Sequence, residues 1–161
     1  LYRAEGLALA AQATLTTPPV YSSGSVTEGV VLEEGSGEGL LALGYSVPQS
    51  DRAHYLEGIL GYRHRLGPLN DQLRLRVQAG LQLSERWTLM PLLAHTEPVG
   101  GIDVRATTIT GGNDFALTTA ELSLGYRVMP GVTLVAGGFR HLDGRNIGGG
   151  GGLITSLWLQ W

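Results

Sequence analysis

Residues 73–83 read Leu-Arg-Leu-Arg-Val-Gln-Ala-Gly-Leu-Gln-Leu. Leu73, Leu75, Val77, Ala79, Leu81 and Leu83 alternate with Arg74, Arg76, Gln78, Gly80 and Gln82. Successive side chains of a β-strand point to opposite faces, so this stretch is a strand with one apolar and one polar face. It is longer than the ~5–6 residues of an ordinary strand and matches the ~9–11 residues that a tilted strand needs to cross a bilayer.

The same alternation recurs on either side. Ala116, Thr118, Ala120, Leu122, Leu124, Tyr126 and Val128 oppose Thr119, Glu121, Ser123, Gly125 and Arg127. Leu56, Gly58, Leu60 and Tyr62 oppose Glu57, Gly61 and Arg63, with Ile59 as an apolar exception, and Leu41–Val47 is a shorter version. Leu153, Thr155, Leu157, Leu159 and Trp161 oppose Ile154, Ser156, Trp158 and Gln160. Taken together the segments predict eight strands over roughly 1–15, 39–47, 53–65, 72–83, 87–95, 115–128, 131–142 and 153–161. A count of nine or ten stays open, because Val26–Glu34 has the makings of a further strand or hairpin. Arg3 and Glu5 share a face with Leu7 and Leu9, so the first apolar face begins only after Glu5. Pro91 removes a ladder donor inside the fifth segment and predicts a bulge there.

Connections alternate in length. Val47–Arg52, Leu83–Trp87 and Val128–Val132 are tight turns, whereas Thr16–Glu38, Leu66–Gln72, Thr96–Asp114 and Asp143–Gly152 are longer. This is the asymmetry of a barrel with short turns at one membrane face and long loops at the other. The fold class expected is therefore all-β, a closed antiparallel up-and-down transmembrane barrel filling residues 1–161 as one domain.

Composition agrees. Charged residues are 16% of the chain, below the roughly 25% of ordinary soluble domains. The 43% of hydrophobic residues are dispersed, and no run approaches the ~20 apolar residues of a membrane helix. All 11 basic residues are Arg, and the net charge of −3 gives no nucleic-acid footprint. Without cysteine there is no disulfide framework, thiol chemistry or cysteine-based zinc site, and no cofactor motif is evident. The Gly148–Gly152 run lacks the ending of a phosphate loop and reads as a flexible external loop or as the small-residue entry to the last strand. The chain starts at Leu1 with no basic-then-apolar leader, which reads as a mature or trimmed chain from which a signal peptide, if there is one, is gone.

The last segment resembles the terminal strand of outer-membrane barrels, which ends in an aromatic residue after alternating apolar positions. That resemblance implies that Leu157, Leu159 and Trp161 form a signal for the barrel-assembly machinery. Tyr45, Tyr62 and Tyr126 suit an interfacial aromatic girdle. In size and layout the chain is similar to small eight-stranded barrels of the OmpA/OmpX type, implying residence in the bacterial outer membrane among lipid and lipopolysaccharide.

With apolar faces toward lipid, Glu57, Arg63, Arg74, Arg76, Gln78, Gln82, Glu121 and Arg127 point inward. An eight-stranded interior is only just wide enough to be filled by side chains, so these groups are expected to pair with one another. His95, Glu97, His141 and Asp143, with Asp103 and Asp114, sit near the long-loop end, where they are either solvated rim residues or a metal or acid–base cluster. The string His141-Leu142-Asp143 is similar to the His-x-Ser of outer-membrane lipid A deacylases, with Asp143 in place of the nucleophile. Ser156 faces inward without an assigned base.

The acidic segment Thr16–Glu38, with Glu28, Glu33, Glu34 and Glu38, reads as a docking surface for a protein partner or as a solvated cap. The leading expectation is a non-enzymatic outer-membrane barrel with a structural, adhesive or partner-docking role through its external loops. The rivals are a lipid A-modifying enzyme and a soluble lipocalin-like barrel, which would turn its apolar faces inward.

Overall fold

The computed structural model describes residues 2–4, 6–16, 35–49, 52–66, 69–100 and 114–160. They form one antiparallel sheet in strict chain order. A short strand β1 (Tyr2–Ala4) precedes eight long ones: β2 (Leu7–Thr16), β3 (Ser36–Gln49), β4 (Arg52–Arg65), β5 (Gln72–Gln82), β6 (Trp87–Pro98), β7 (Ala116–Met129), β8 (Val132–Arg145) and β9 (Gly151–Leu159). Each long strand pairs with the next, so the topology is up-and-down. Val26–Glu34, Asp103 and Trp161 lie outside the described residues.

The ladder registers carry the alternation across the whole sheet. Leu9, Leu43, Val77 and Leu93 fall on one row, and Leu41, Leu60 and Leu75 on the next. These side chains stay exposed: Leu41 at 57%, Leu60 at 48% and Leu75 at 48%. The opposite face carries Glu57, Gln78 and Glu121 on one row and Arg76 and Thr119 on another. Among the described residues thirty large hydrophobic side chains are exposed, whereas Met90, Ala116 and Val135 are the only buried hydrophobic ones. A water-soluble core has the reverse distribution. The molecule is inside-out.

The polar face is concave. Tyr55 of β4 and Arg76 of β5 line the same cavity of about 200 Å³ as Ile154 and Trp158 of β9. A second cavity of about 360 Å³ brings Glu38 of β3 together with Glu121 of β7. The sheet therefore curls like a small barrel. It does not close: among the described residues no ladder joins β9 to β2. The expected ring is thus an open, curled sheet, and part of the reason is visible at its first edge. Residues 1–15 form two strands rather than one. The chain reverses at Gly6 (φ +83°), and β1 pairs back onto β2 with Tyr2 opposite Leu9 and Ala4 opposite Leu7. The β2 edge that β9 would need at this end is already taken.

Several boundaries differ from the sequence expectation. Glu38 lies inside β3, because Ser36 and Gly37 already pair with β4. Strand β8 runs through Asp143 to Arg145, and β9 starts at Gly151. Pro91 causes no bulge: pairing of β5 with β6 lapses between Gln78–Leu92 and Leu81–Leu89 and resumes in unchanged register. The irregularities fall instead between β7 and β8, at Thr118/Thr119 and Arg127/Met129.

Two turns at the short-connection end are built locally. Ser84 Oγ accepts the amides of Arg86 (3.3 Å) and Trp87 (3.2 Å). Gly131 takes φ +78° and its carbonyl accepts the Gln160 amide at 2.8 Å. Gly137 of β8 serves packing instead. A Cβ there would stand 2.5 Å from the Leu122 carbonyl oxygen and closer still to the Ser123 hydroxyl. Gly137→Ala is therefore expected to cost about 1–3 kcal/mol through overpacking against backbone; thermal or urea unfolding should show it, and a wild-type midpoint would contradict this packing.

Candidate functional site

The polar side chains form two groups, one filling the interior and one on the outer rim at the long-connection end. The interior group begins with Arg65 at the end of β4. Its guanidinium pairs with the carboxylate of Asp114, and the two side chains are 6% and 0% exposed. Asp114 also accepts from the Asn70 amide (3.0 Å) and from Asn70 Nδ2 (2.6 Å). Arg65 Nε donates to the Asn70 carbonyl at 2.7 Å, and Asn146 Nδ2 donates to the Asp114 carbonyl at 2.6 Å. Ser36 and Gln72 are buried beside them on the ladder, and Gln72 Nε2 lacks a hydrogen-bond partner. This knot stoppers one end of the concave face. Burying two charges is tolerable because each keeps a partner and further hydrogen bonds.

Below it the anticipated interior residues share the concave face. Arg74 Nη1 reaches Glu38 Oε1 at 2.7 Å, Arg76 Nη2 donates to Gln78 Oε1 at 2.9 Å, and Gln78 Nε2 donates to Glu57 Oε2 at 3.3 Å. Arg63 Nε donates to Ser36 Oγ at 3.1 Å, and Glu121 accepts from Ser123 Oγ at 3.0 Å. Gln82 Oε1 caps the Ala53 amide at 2.7 Å. Arg127 follows the same register, opposite Thr133, but is exposed at the turn end and forms no ion pair among the described residues. Glu38, read from sequence as part of an acidic loop, is the principal partner of Arg74.

The rim residues separate into distinct environments. His95 Nδ1 lies 2.9 Å from Thr118 Oγ1 on β7, and its Nε2 lies 3.5 Å from Glu97, whose carboxylate also holds the Arg145 guanidinium. Hydroxyl, imidazole and carboxylate stand in the order that can move a proton from Thr118 to His95. Acyl transfer additionally needs donors aimed at a developing oxyanion. His95 and Thr118 face each other inside a continuous ladder, which already engages the backbone of both strands. The cluster ties β6, β7 and β8 together.

His141 is elsewhere: its Nδ1 lies 3.3 Å from the Gly148 carbonyl and its ring centroid 5.8 Å from that of Phe139. The bulge at Thr118/Thr119 pairs His141 with Thr119 and Asp143 with Thr118. These are adjacent residues of β7 with opposite faces. Ser156 sits opposite Val135, some ~20 Å along the strand from the Gly150 carbonyl that accepts the His141 amide. The residues expected to form one acidic-imidazole cluster are thus dispersed, with Asp114 buried against Arg65. No group of three His, Asp or Glu among the described residues is placed to hold a metal ion.

One rim cluster escaped the sequence reading. Asp71, just before β5, accepts from the Tyr62 hydroxyl (2.5 Å) and from the Arg65 amide (3.0 Å), with His64 Nδ1 at 3.0 Å. Tyr62 and His64 are two apart on β4 and so share a face, which was the available signal; Asp71 joins them only after the chain has turned. The Tyr62 hydroxyl first, then His64 and the Arg65 amide, hold the Asp71 carboxyl down from 3.8 to about 2. At the opposite end Arg86 Nη1 donates to the Tyr126 hydroxyl at 3.2 Å, and Tyr126 packs on Trp87 with centroids 4.6 Å apart. Leu157 and Leu159 are exposed on β9, at 55% and 57%.

No protein-family model matches the sequence, and comparison with curated proteins and with solved structures gives no match.

Two outcomes follow from this geometry. Arg65→Met leaves the Asp114 carboxylate buried without its cation and should cost about 3–5 kcal/mol, measured as a lowered unfolding midpoint; the double variant Arg65→Met/Asp114→Leu should recover part of it. Because the folded pKa of Asp71 is depressed, its stabilisation of the β4–β5 connection is complete above pH 3.8 and disappears as pH falls through about 2. A carboxyl NMR titration should place its midpoint near 2 and move it upward in Tyr62→Phe.

Proposed function

We propose that this chain is a bacterial outer-membrane β-barrel whose role is structural, adhesive or partner-docking, exercised through the connections at its long-loop end. One observation carries the reading. Thirty large apolar side chains of the described residues are exposed, and along the long strands they fall largely on one continuous face, while the concave face holds the ion pairs Arg65–Asp114 and Arg74–Glu38. Left in water, such a surface far exceeds the apolar patches of monomeric soluble proteins. In hydrocarbon it is the face a membrane barrel presents, alternating with a polar interior.

Three further features support it. Long strands alternate between tight turns and longer connections. The pair Trp87–Tyr126 and the exposed Tyr45 lie near the tight-turn end, with Tyr62 near the other, as two girdles would require. No helix among the described residues is long and apolar enough to cross a membrane, and β2 to β9, at 9–14 residues, have the length of a tilted crossing strand. In the bilayer an open sheet edge leaves backbone groups unsatisfied, which drives the curled sheet to close by joining β9 to β2. Terminal residues Leu157, Leu159 and Trp161 then act in recognition by the assembly machinery, and the external side meets lipopolysaccharide and any protein partner. A soluble lipocalin-like barrel fits poorly, because its ligand cavity would carry Glu38, Arg74, Arg76 and Glu121 in its wall beside Leu40, Ile59 and Leu92.

The decisive comparison is between adjacent residues of β5. Leu75→Arg puts a cation on the outward face, at about 2–4 kcal/mol near the bilayer midplane, and should block insertion. Arg74→Leu should be milder, releasing Glu38 but leaving the outer face intact. The readouts are detergent dependence and a boiled-versus-unboiled shift on a denaturing gel. A wild-type chain that stays monomeric without detergent and shows no heat shift sinks the membrane reading.

A further inference from the structure

The outward face is hollowed beside the β5–β6 turn. Trp87, the first residue of β6, shares a ladder row with Tyr126 of β7, Leu134 of β8 and Leu157 of β9. Leu124, Ala136 and Thr155 stand together one row further into the sheet. Both sets line a single depression of about 720 Å³. Ala136 and Thr155 carry shorter side chains than the leucines and aromatic rings around them, which is what leaves the space. A leucine at either position would fill it.

Arg86 stands at the mouth of this depression. It immediately precedes Trp87, its Nη1 donates to the Tyr126 hydroxyl at 3.2 Å, and its carbonyl accepts the Arg127 amide at 2.8 Å. Its level on the sheet is fixed by the chain itself: it belongs to the turn, one residue outside the row of Trp87 and Tyr126. A guanidinium has more N–H donors than the one given to Tyr126. Glu85 precedes it in the same turn, close enough for its charge to act on Arg86. Both side chains are exposed, and among the described residues neither forms an ion pair, whereas Arg65, Arg74 and Arg145 each have one. A cation and an anion, each without a salt-bridge partner, thus border an apolar depression at the level of the tight turns.

We propose that this depression binds one zwitterionic aminophospholipid of the leaflet on the tight-turn side. Its phosphate is held by Arg86, its ammonium by Glu85, and the upper methylenes of one acyl chain lie over Ala136 and Thr155. The planar guanidinium suits a pair of phosphate oxygens. The ammonium of the same headgroup supplies the counter-charge that Glu85 lacks, so a zwitterion satisfies both side chains, whereas a purely anionic headgroup on Arg86 would meet repulsion from Glu85. Tyr126 serves both parts of the lipid: its hydroxyl holds the guanidinium, and its ring lines the depression. The inference rests on the membrane reading above, in which the tight turns lie at the headgroups of one leaflet.

The test is native mass spectrometry of the full chain released from nanodiscs made of equal parts phosphatidylethanolamine and phosphatidylglycerol with the same acyl chains. The two lipids share the phosphate, but only the first carries an ammonium. Insertion is verified first by the heat shift, so failure of the membrane reading appears as a chain that never enters the disc. For an inserted chain, one retained phosphatidylethanolamine is expected. Its occupancy should fall about tenfold in Arg86→Gln, equivalent to ~1.4 kcal/mol, and comparably in Ala136→Leu, which leaves both charges in place. Glu85→Gln should turn the preference toward phosphatidylglycerol. Arg127→Gln, at the same end but in the register of the concave face, should retain the lipid as the wild type does. Retention unchanged in Arg86→Gln, or phosphatidylglycerol held by the wild-type chain as well as phosphatidylethanolamine, overturns the proposal.

Discussion

The register of the ladders is the constraint from which everything else follows. Side chains alternate with a period of two, so a slip of one residue between any pair of strands would carry its leucines inward and its arginines outward. From β2 to β9 no such slip occurs until the bulges beside β8, and each row therefore keeps to one face across the sheet. The reward is double. The outer face is continuous and apolar, and opposite charges meet on the inner face where a curled sheet brings distant strands together. Glu38 finds Arg74 across β4, and Arg65 finds Asp114 at the base of β7.

Arg65 and Asp114 illustrate how an inside-out protein replaces the usual core. Met90, Ala116 and Val135 are too few to organise it, so shape comes from backbone pairing and a polar knot. Through Asn70 and Asn146 that knot links the β4–β5 connection, the start of β7 and the β8–β9 connection. Its position at one end, with the Arg74 and Arg76 networks below, fills the concave side from the long-connection end downward. The exposed Arg127 at the opposite end shows that the filling is not symmetric.

Sequence reading recovered the strands wherever alternation was pure, as at Leu73–Leu83, and parity alone put Arg74 and Arg76 on one face of β5. It failed where local signals compete. Residues 1–15 look like one run of alternation, yet Gly6 permits a reversal that no periodicity reports. Pro91 lacks a donor, but the ladder can lapse for two pairs without changing register, so no bulge is required. The rim histidines were grouped by proximity to strand ends. A bulge at Thr118/Thr119 then separated His141 from Asp143, a consequence of three-dimensional pairing that composition does not encode. The Tyr62–His64–Asp71 cluster was legible only in half, because Asp71 joins the two β4 residues across a turn.

The reversal at Gly6 has a bearing on how the chain reaches its final form. The contacts of β1 with β2 join residues a few positions apart and cost little chain entropy, so this hairpin can form early and alone. Any pairing of β9 with that edge joins the two ends of the chain and must wait for every intervening strand. Tyr2–Ala4 then act as a hem on the first edge of the sheet. They occupy the backbone groups of Leu7–Leu9 that would otherwise be a template for the strands of other molecules. The edge is finished by the chain itself, with three residue pairs in place of an open row of donors and acceptors.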